Sequence, residues 1–206
     1  MKKATYLFLL LSSLSFAVKA QSRFKAGLRL GLSTSQVEGD TYGGFDKFGL
    51  AGGATLHAKL SDKWGAQFEL LFVQKGSKHA GDPNKGDLSF YVMQLNYMEV
   101  PVLFQYHQKK FTFEFGPSFG YLISGKEYDY YGEIQNTIPF NTTEVSANLG
   151  VNYKIYNNLG ITWRFTNSLL PIRRYASGAS FWFNPGQRNN VLAFTLTYTF
   201  GSAQTE

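Results

Sequence analysis

Eight segments of this chain alternate apolar residues with polar residues or glycine, and every charged side chain within them falls on the opposite parity from the apolar ones. In the first, Phe24, Ala26, Leu28, Leu30 and Leu32 face one way and Lys25, Gly27, Arg29 and Gly31 the other. The second sets Phe48, Leu50, Ala54, Leu56, Ala58 and Leu60 against Gly49, Gly53, Thr55, His57 and Lys59; the third sets Trp64, Ala66, Phe68, Leu70 and Phe72 against Gln67 and Glu69. The fourth, LNYMEVPVLFQY, puts Met98, Val100, Val102, Phe104 and Tyr106 opposite Glu99 and Gln105, and Pro101, lacking an N–H, predicts a bulge or bend there. The fifth has Phe111, Phe113, Phe115, Phe119 and Tyr121 against Glu114 and Ser118; the sixth, Val145 to Tyr153 against Glu144, Asn148 and Lys154; the seventh, Leu159 to Phe165 against Arg164; the eighth, Leu192 to Phe200 against three threonines. A period of two sustained this often describes strands and not helical faces.

The absence of charge from all eight apolar faces is what contact with hydrocarbon enforces, because an Arg or Lys on a lipid face near the midplane costs about 2–4 kcal/mol. A soluble barrel would invert the arrangement and wrap its apolar face around a ligand. Aromatic placement separates the two: Trp64, Tyr106, Tyr153 and Tyr198 all sit on the apolar face beside a short turn or the terminus, as an interfacial girdle does. Short links at 61–63, 107–110 and 156–158 alternate with long ones at 33–47, 75–92, 123–143 and 170–190. The sequence therefore predicts an all-β chain, one eight-stranded antiparallel transmembrane barrel with short periplasmic turns and four long extracellular loops, in the outer membrane of a Gram-negative cell.

Residues 1–20 read as a cleaved signal peptide, with Lys2 and Lys3, an apolar run and Val18-Lys19-Ala20 as cleavage site, leaving 21–206 as the barrel domain. The formal charge of +6 includes Lys2, Lys3 and Lys19, so 17 basic residues remain against 14 acidic ones and a nucleic-acid partner loses its support. Cysteine is absent, which excludes disulfides and a lipidated cysteine.

Eight strands enclose an interior just filled by side chains, so a wide pore is not expected. The expected lumen network is Arg29, His57, Glu69, Glu99, Glu114, Lys154 and Arg164. Counted from the short-turn ends, Arg29, Glu69, Glu99 and Arg164 fall in one middle layer, with His57, Lys59, Glu114 and Lys154 below. Charges in so narrow a space must be paired, which predicts a plugged lumen; a gated ion path is the alternative. Inward glycines leave room for the long Arg and Glu side chains.

Outer-loop aromatics and arginines form a candidate contact surface for protein or glycan: Tyr128, Tyr130, Tyr131, Arg173, Arg174, Tyr175, Phe181, Trp182 and Phe183. Arg173 and Arg174 suit lipopolysaccharide phosphates. The ingredients of a hydrolase exist around His79, with Ser77, Asp82 and Asp87, or at His57, but composition alone does not make such a site. No metal spacing and no cofactor motif is present. The reading is of a non-enzymatic monomer meeting outer-membrane lipid, and the barrel-assembly machinery during insertion.

The fourth and fifth segments also carry a resemblance. Leu95, Tyr97, Glu99 and Pro101, followed by Gly116, Pro117 and Gly120, resemble the "Leu-x-Tyr-x-Glu-x-Pro" strand and "Gly-Pro-x-x-Gly" successor of PorT-like outer-membrane β-barrel proteins of Bacteroidetes. The resemblance spans the mature chain and implies an eight-stranded outer-membrane barrel, with little indication of activity.

Overall fold

The computed structural model describes residues 23–135, 137–175 and 186–200. Its strands are β1 (Phe24–Glu38), β2 (Lys47–Lys59), β3 (Trp64–Ala80), β4 (Phe90–Gln108), β5 (Phe111–Asp129), the two-residue β6 (Gly132–Glu133), β7 (Thr143–Lys154), β8 (Leu159–Ser168) and β9 (Arg188–Thr199). Each long strand pairs antiparallel with its neighbours, and β1 pairs with β9 from Gly27↔Thr199 to Glu38↔Arg188. Eight strands thus close a ring with no open edge, and β6 merely pairs with the end of β5.

Sidedness follows the alternation. Leu30 is 68% exposed and its cross-strand neighbour Leu196 52%, whereas Arg29 between them in parity is 4% exposed. A continuous row of apolar residues faces outward in every strand of the ring, and the buried charges Arg29, Glu69, Glu99, Glu114 and Arg164 all lie inside, with one small apolar cluster of Ala51, Leu71 and Val73 among them, which contradicts the soluble barrel with an apolar cavity. No described helix is long or apolar enough to cross a membrane; strands make the crossing.

The height of the bilayer is written on the outer surface. At the short-turn end Trp64 packs on Tyr106 at 5.0 Å and Phe111 on Tyr153 at 5.2 Å. Going up the strands, the outward face stays apolar to Phe72, Met98 and Val145 and then turns polar: Gln74 donates to Asn96 (3.2 Å), Asn96 to Ser124 (2.8 Å), and Asn167 to Asn190. The apolar span of β3 from Trp64 to Phe72 matches the roughly 9–11 tilted residues needed to cross.

Above this polar collar the ladders continue, which corrects the expected loop bounds. β1 runs to Glu38, β3 to Ala80, β4 begins at Phe90 and β5 ends at Asp129, so the outer connections shrink to 39–46, 81–89, 130–142 and 169–187. Outside lipid, nothing demands apolar residues on the outward face; the alternation fades although the hydrogen bonding does not. In the connection 81–89, Asp82 caps the single turn Pro83–Lys85 and Gly86 ends it at φ +75°.

At Pro101, where a bulge or bend is expected, the ladder is interrupted without a change of register. Pairing lapses beside it on the β3 side, between Phe68↔Val102 and Leu71↔Glu99, but resumes in step. The register shift lies five residues away, where Tyr97↔Leu122 gives way to Asn96↔Ser124 and Ile123 becomes an extra residue in β5. One extra residue exchanges the two faces of a strand, so even-numbered residues point inward before Ile123 and odd-numbered ones after it. Glu114 and Ser118 are buried below the bulge, and Glu127 above it.

Candidate functional site

Four strands send charges to one level of the interior: Arg29 from β1, Glu69 from β3, Glu114 from β5 and Arg164 from β8. They alternate in sign around a square. Arg164 meets Glu69 through Nη1 (2.5 Å) and Nη2 (3.0 Å), and Glu114 Oε1 through Nε (2.8 Å) and Nη2 (2.6 Å). Arg29 closes the other two sides more loosely, at 3.1 Å to Glu69 and 3.5 Å to Glu114. All four side chains are at most 5% exposed. The charge sums to zero, which is what makes burial tolerable, since an isolated buried ion would carry a desolvation cost of several kcal/mol. Glu114 fits because its partner in register is Gly150, where a Cβ would lie 2.8 Å from Glu114 Oε1.

Neutral polar groups extend this square downward. Gln67 donates to Glu69, Gln105 Nε2 donates to Gln67 Oε1 (2.5 Å), and His57 lies 3.5 Å from Gln105 and 3.3 Å from Thr55. Lys154 is exposed at the periplasmic end and joins no ion pair among the described residues.

Glu99 does not share the level of Arg29, as strand counting expects. It pairs instead with Lys75, whose Nζ also lies 3.1 Å from both oxygens of Glu144. Ser146 (3.0 Å), Ser168 and Asn189 (3.3 Å) donate to the same Glu144 carboxylate, and Lys75 sits 5.0 Å above the Tyr97 ring. Strand tilt is the reason: residues equally far from their turns stand at different heights around a sheared barrel. Lys75 falls within the long link expected at 75–92, whereas β3 carries it into the interior. Its signal was the odd-numbered inward series, which runs on through Gln67, Glu69, Leu71 and Val73.

At the outer mouth the interior becomes apolar, with Val37, Met93, Leu95, Tyr97 and Ile172 packed together and Phe140 against them. Arg173 covers this cluster. It was expected at the rim beside Arg174, but it is 9% exposed and turned inward, holding Glu127 through Nη1 (2.6 Å) and Nη2 (2.7 Å), donating to Gln187 (2.5 Å) and lying 4.5 Å over Phe140. The bulge at Ile123 supplies the cause, because it swings Glu127 inward, where Arg173 neutralises it and Tyr91 donates to it. Burial would raise the Glu127 carboxyl, yet hydrogen bonds from Arg173 and Tyr91 hold it below the ordinary glutamate value.

The model of the outer membrane protein beta-barrel domain matches residues 18–174 of this sequence, most of its length. The chain belongs to that family. Its location is accordingly the outer membrane. Solved structures share the fold: Ail, the attachment invasion locus protein of Yersinia pestis, crystallised in complex with the heparin analogue sucrose octasulfate, is 13% identical, with 86% of this chain and 99% of Ail covered at a TM-score of 0.50. Neisserial surface protein A is 10% identical, with 86% and 97% covered, also at 0.50. No curated protein matches the sequence.

On this outer-membrane barrel the remaining loop residues fall into distinct settings. Tyr131 is fully exposed and Tyr130 mostly so, its ring 5.2 Å from Phe90; Arg174 is exposed, and Tyr128 half-buried. Tyr175 lies across Gly39, whose φ of +85° and lack of a Cβ admit the ring. Phe181, Trp182 and Phe183 lie outside the described residues. His79 is stacked on Tyr42 at 4.5 Å and bonded to Asp87 at 2.9 Å. Asp87 also accepts from the hydroxyl and amide of Ser89, and these bonds with that of His79 hold its carboxyl down to about 2. Of the expected Ser–His–acid ingredients the structure joins only His79 and Asp87: Ser77 is buried in the interior and Asp82 caps the short helix.

Proposed function

We propose that this outer-membrane barrel is non-enzymatic, has a plugged lumen, and serves envelope structure or recognition through its outer connections. The observation that carries the reading is the charge-neutral square of Arg29, Glu69, Glu114 and Arg164, which spans the interior from four separate strands with every member paired. Two further layers stand above it, the Lys75 cluster and the apolar mouth. Reconstituted in planar bilayers, the protein is expected to be silent; discrete conductance steps would overturn the plug and favour an ion path.

The outer surface that such a protein offers is aromatic and mixed in charge: Tyr130, Tyr131 and Arg174 are exposed, and Tyr128 and Tyr175 are partly so. Ail's complex with a sulfated sugar makes an anionic glycan, lipopolysaccharide included, the first ligand class to try at these loops. Hydrolysis has little support, because His79 is engaged by Tyr42 and Asp87 with no hydroxyl nucleophile beside its ring among the described contacts. A His79→Ala variant should leave envelope lipids processed as before.

The finer kinship to PorT-like proteins rests on Leu95, Tyr97, Glu99, Pro101, Gly116, Pro117 and Gly120. The first four turn into the interior, where Glu99 binds Lys75 and Tyr97 joins the mouth cluster. A motif made of interior residues reports how the barrel is filled and not what it binds. Cleavage after Ala20, insertion by the barrel-assembly machinery and a monomeric state complete the proposal; mass spectrometry of the mature chain and light scattering in detergent check the first and last.

A further inference from the structure

Below the charged square the interior opens toward the periplasm as a cavity of about 680 Å³, a size that suits a small ligand. Its walls are one-sided in charge. Arg23, Lys25, Lys59 and Lys154 line it, and the only acids among its lining residues are Asp62 and Glu114. Asp62 is held by Lys59 at 3.0 Å, and Glu114 belongs to the square above. Arg23, Lys25 and Lys154 therefore face the space without an ion-pair partner among the described residues. The neutral groups beside them, His57 and Asn152, are partly exposed and carry hydrogen-bonding atoms, with the bonded Gln105 and Thr197 behind them.

This concentration is not an echo of the whole chain. The bases of the turns, Lys63, Lys109 and Lys110, stand at the same end, again with Asp62 as the one neighbouring acid, whereas the outer connections set Asp40, Asp46, Asp82, Asp87 and Glu133 beside Lys85, Arg173 and Arg174. The turn lysines lie just beyond the aromatic girdle, within reach of lipid headgroups. Lys25 and Lys154 cannot serve that purpose, because their side chains point into the cylinder. Like charges around a cleft with low-dielectric walls focus the field and raise the local concentration of counter-ions.

We propose that this vestibule is a binding site for a soluble periplasmic polyanion, bearing phosphate or carboxylate groups on a polar body. Lys25 and Lys154 grip the anionic groups, while Asn152 and His57 hydrogen-bond the remainder. The site is distinct from the outer loops and needs no passage through the square.

The test uses the full barrel in nanodiscs of phosphatidylcholine, titrated calorimetrically with inorganic pyrophosphate and, separately, with citrate, so that the two arms distinguish phosphate from carboxylate recognition. Saturable binding of at least one probe is expected, falling steeply with added salt. Lys25→Gln and Lys154→Gln should each weaken it roughly tenfold, the value of one charge-assisted hydrogen bond, and Lys154→Arg should retain it. The double variant Lys109→Gln/Lys110→Gln should bind as the parent does. Heat-dependent migration on gels verifies that each variant is folded. No saturable binding of either probe at millimolar concentration, binding untouched by the two vestibule variants, or binding abolished by the turn variant would overturn the proposal.

Discussion

Removing Arg164 tests the square most severely, because this guanidinium touches both carboxylates while Arg29 holds them at longer range. Arg164→Met fills much of the same volume but deletes four hydrogen bonds, two to Glu69 and two to Glu114. One cation, Arg29, is then left with two buried carboxylates, at 3.1 and 3.5 Å. Breaking a buried pair by removing one partner costs about 3–5 kcal/mol, since the penalty is that of the charge left behind. Arg29→Met should cost less, because its contacts are longer and Arg164 still bridges both acids. Adding Glu114→Gln to Arg164→Met restores neutrality with Arg29 and Glu69, and should return about 1–3 kcal/mol as a coupling energy. Urea unfolding in lipid vesicles, followed by tryptophan fluorescence and linear extrapolation, measures each step. A loss below about 1 kcal/mol for Arg164→Met, or a double variant as unstable as the sum of its singles, would refute the claim that paired charges hold the interior together.

Other perturbations probe different layers. Leu30→Arg places a cation on the lipid face near mid-height and should destabilise the inserted barrel by about 2–4 kcal/mol in the same assay, whereas Leu30→Ile should be nearly neutral. Lys75→Met strands Glu99 and Glu144 beside each other and should cost about 3–5 kcal/mol, with Glu99→Gln as the partially restoring second change. The Glu127 carboxyl is lowered in the folded mouth, so the stability it contributes is complete above the ordinary glutamate value of 4.5 and is lost as pH falls through its folded value; hydrogen exchange at Ile172 and Gln187 should accelerate on acidification, and not in Glu127→Gln.

The alternation of the eight strands of the ring was legible in the sequence because lipid contact imposes it residue by residue: Leu28, Leu30 and Leu32 must meet hydrocarbon, and Arg29 must not. Strand number, closure and sidedness all follow from that local demand. The outer limits of β3 and β4 were not legible, since above Gln74 and Asn96 the outward face meets water and the ladder no longer needs an apolar mark. Counting along the strands puts Arg29, Glu69 and Arg164 at one level, but the partner that completes the square, Glu114 from the layer expected below, was decided only by the tertiary structure. Glu99 leaves the level of Arg29 for Lys75, and Arg173 turns in to meet Glu127. Both outcomes depend on shear and on one extra residue at Ile123, quantities that belong to the pairing of strands around the ring and that no single strand carries in its own sequence.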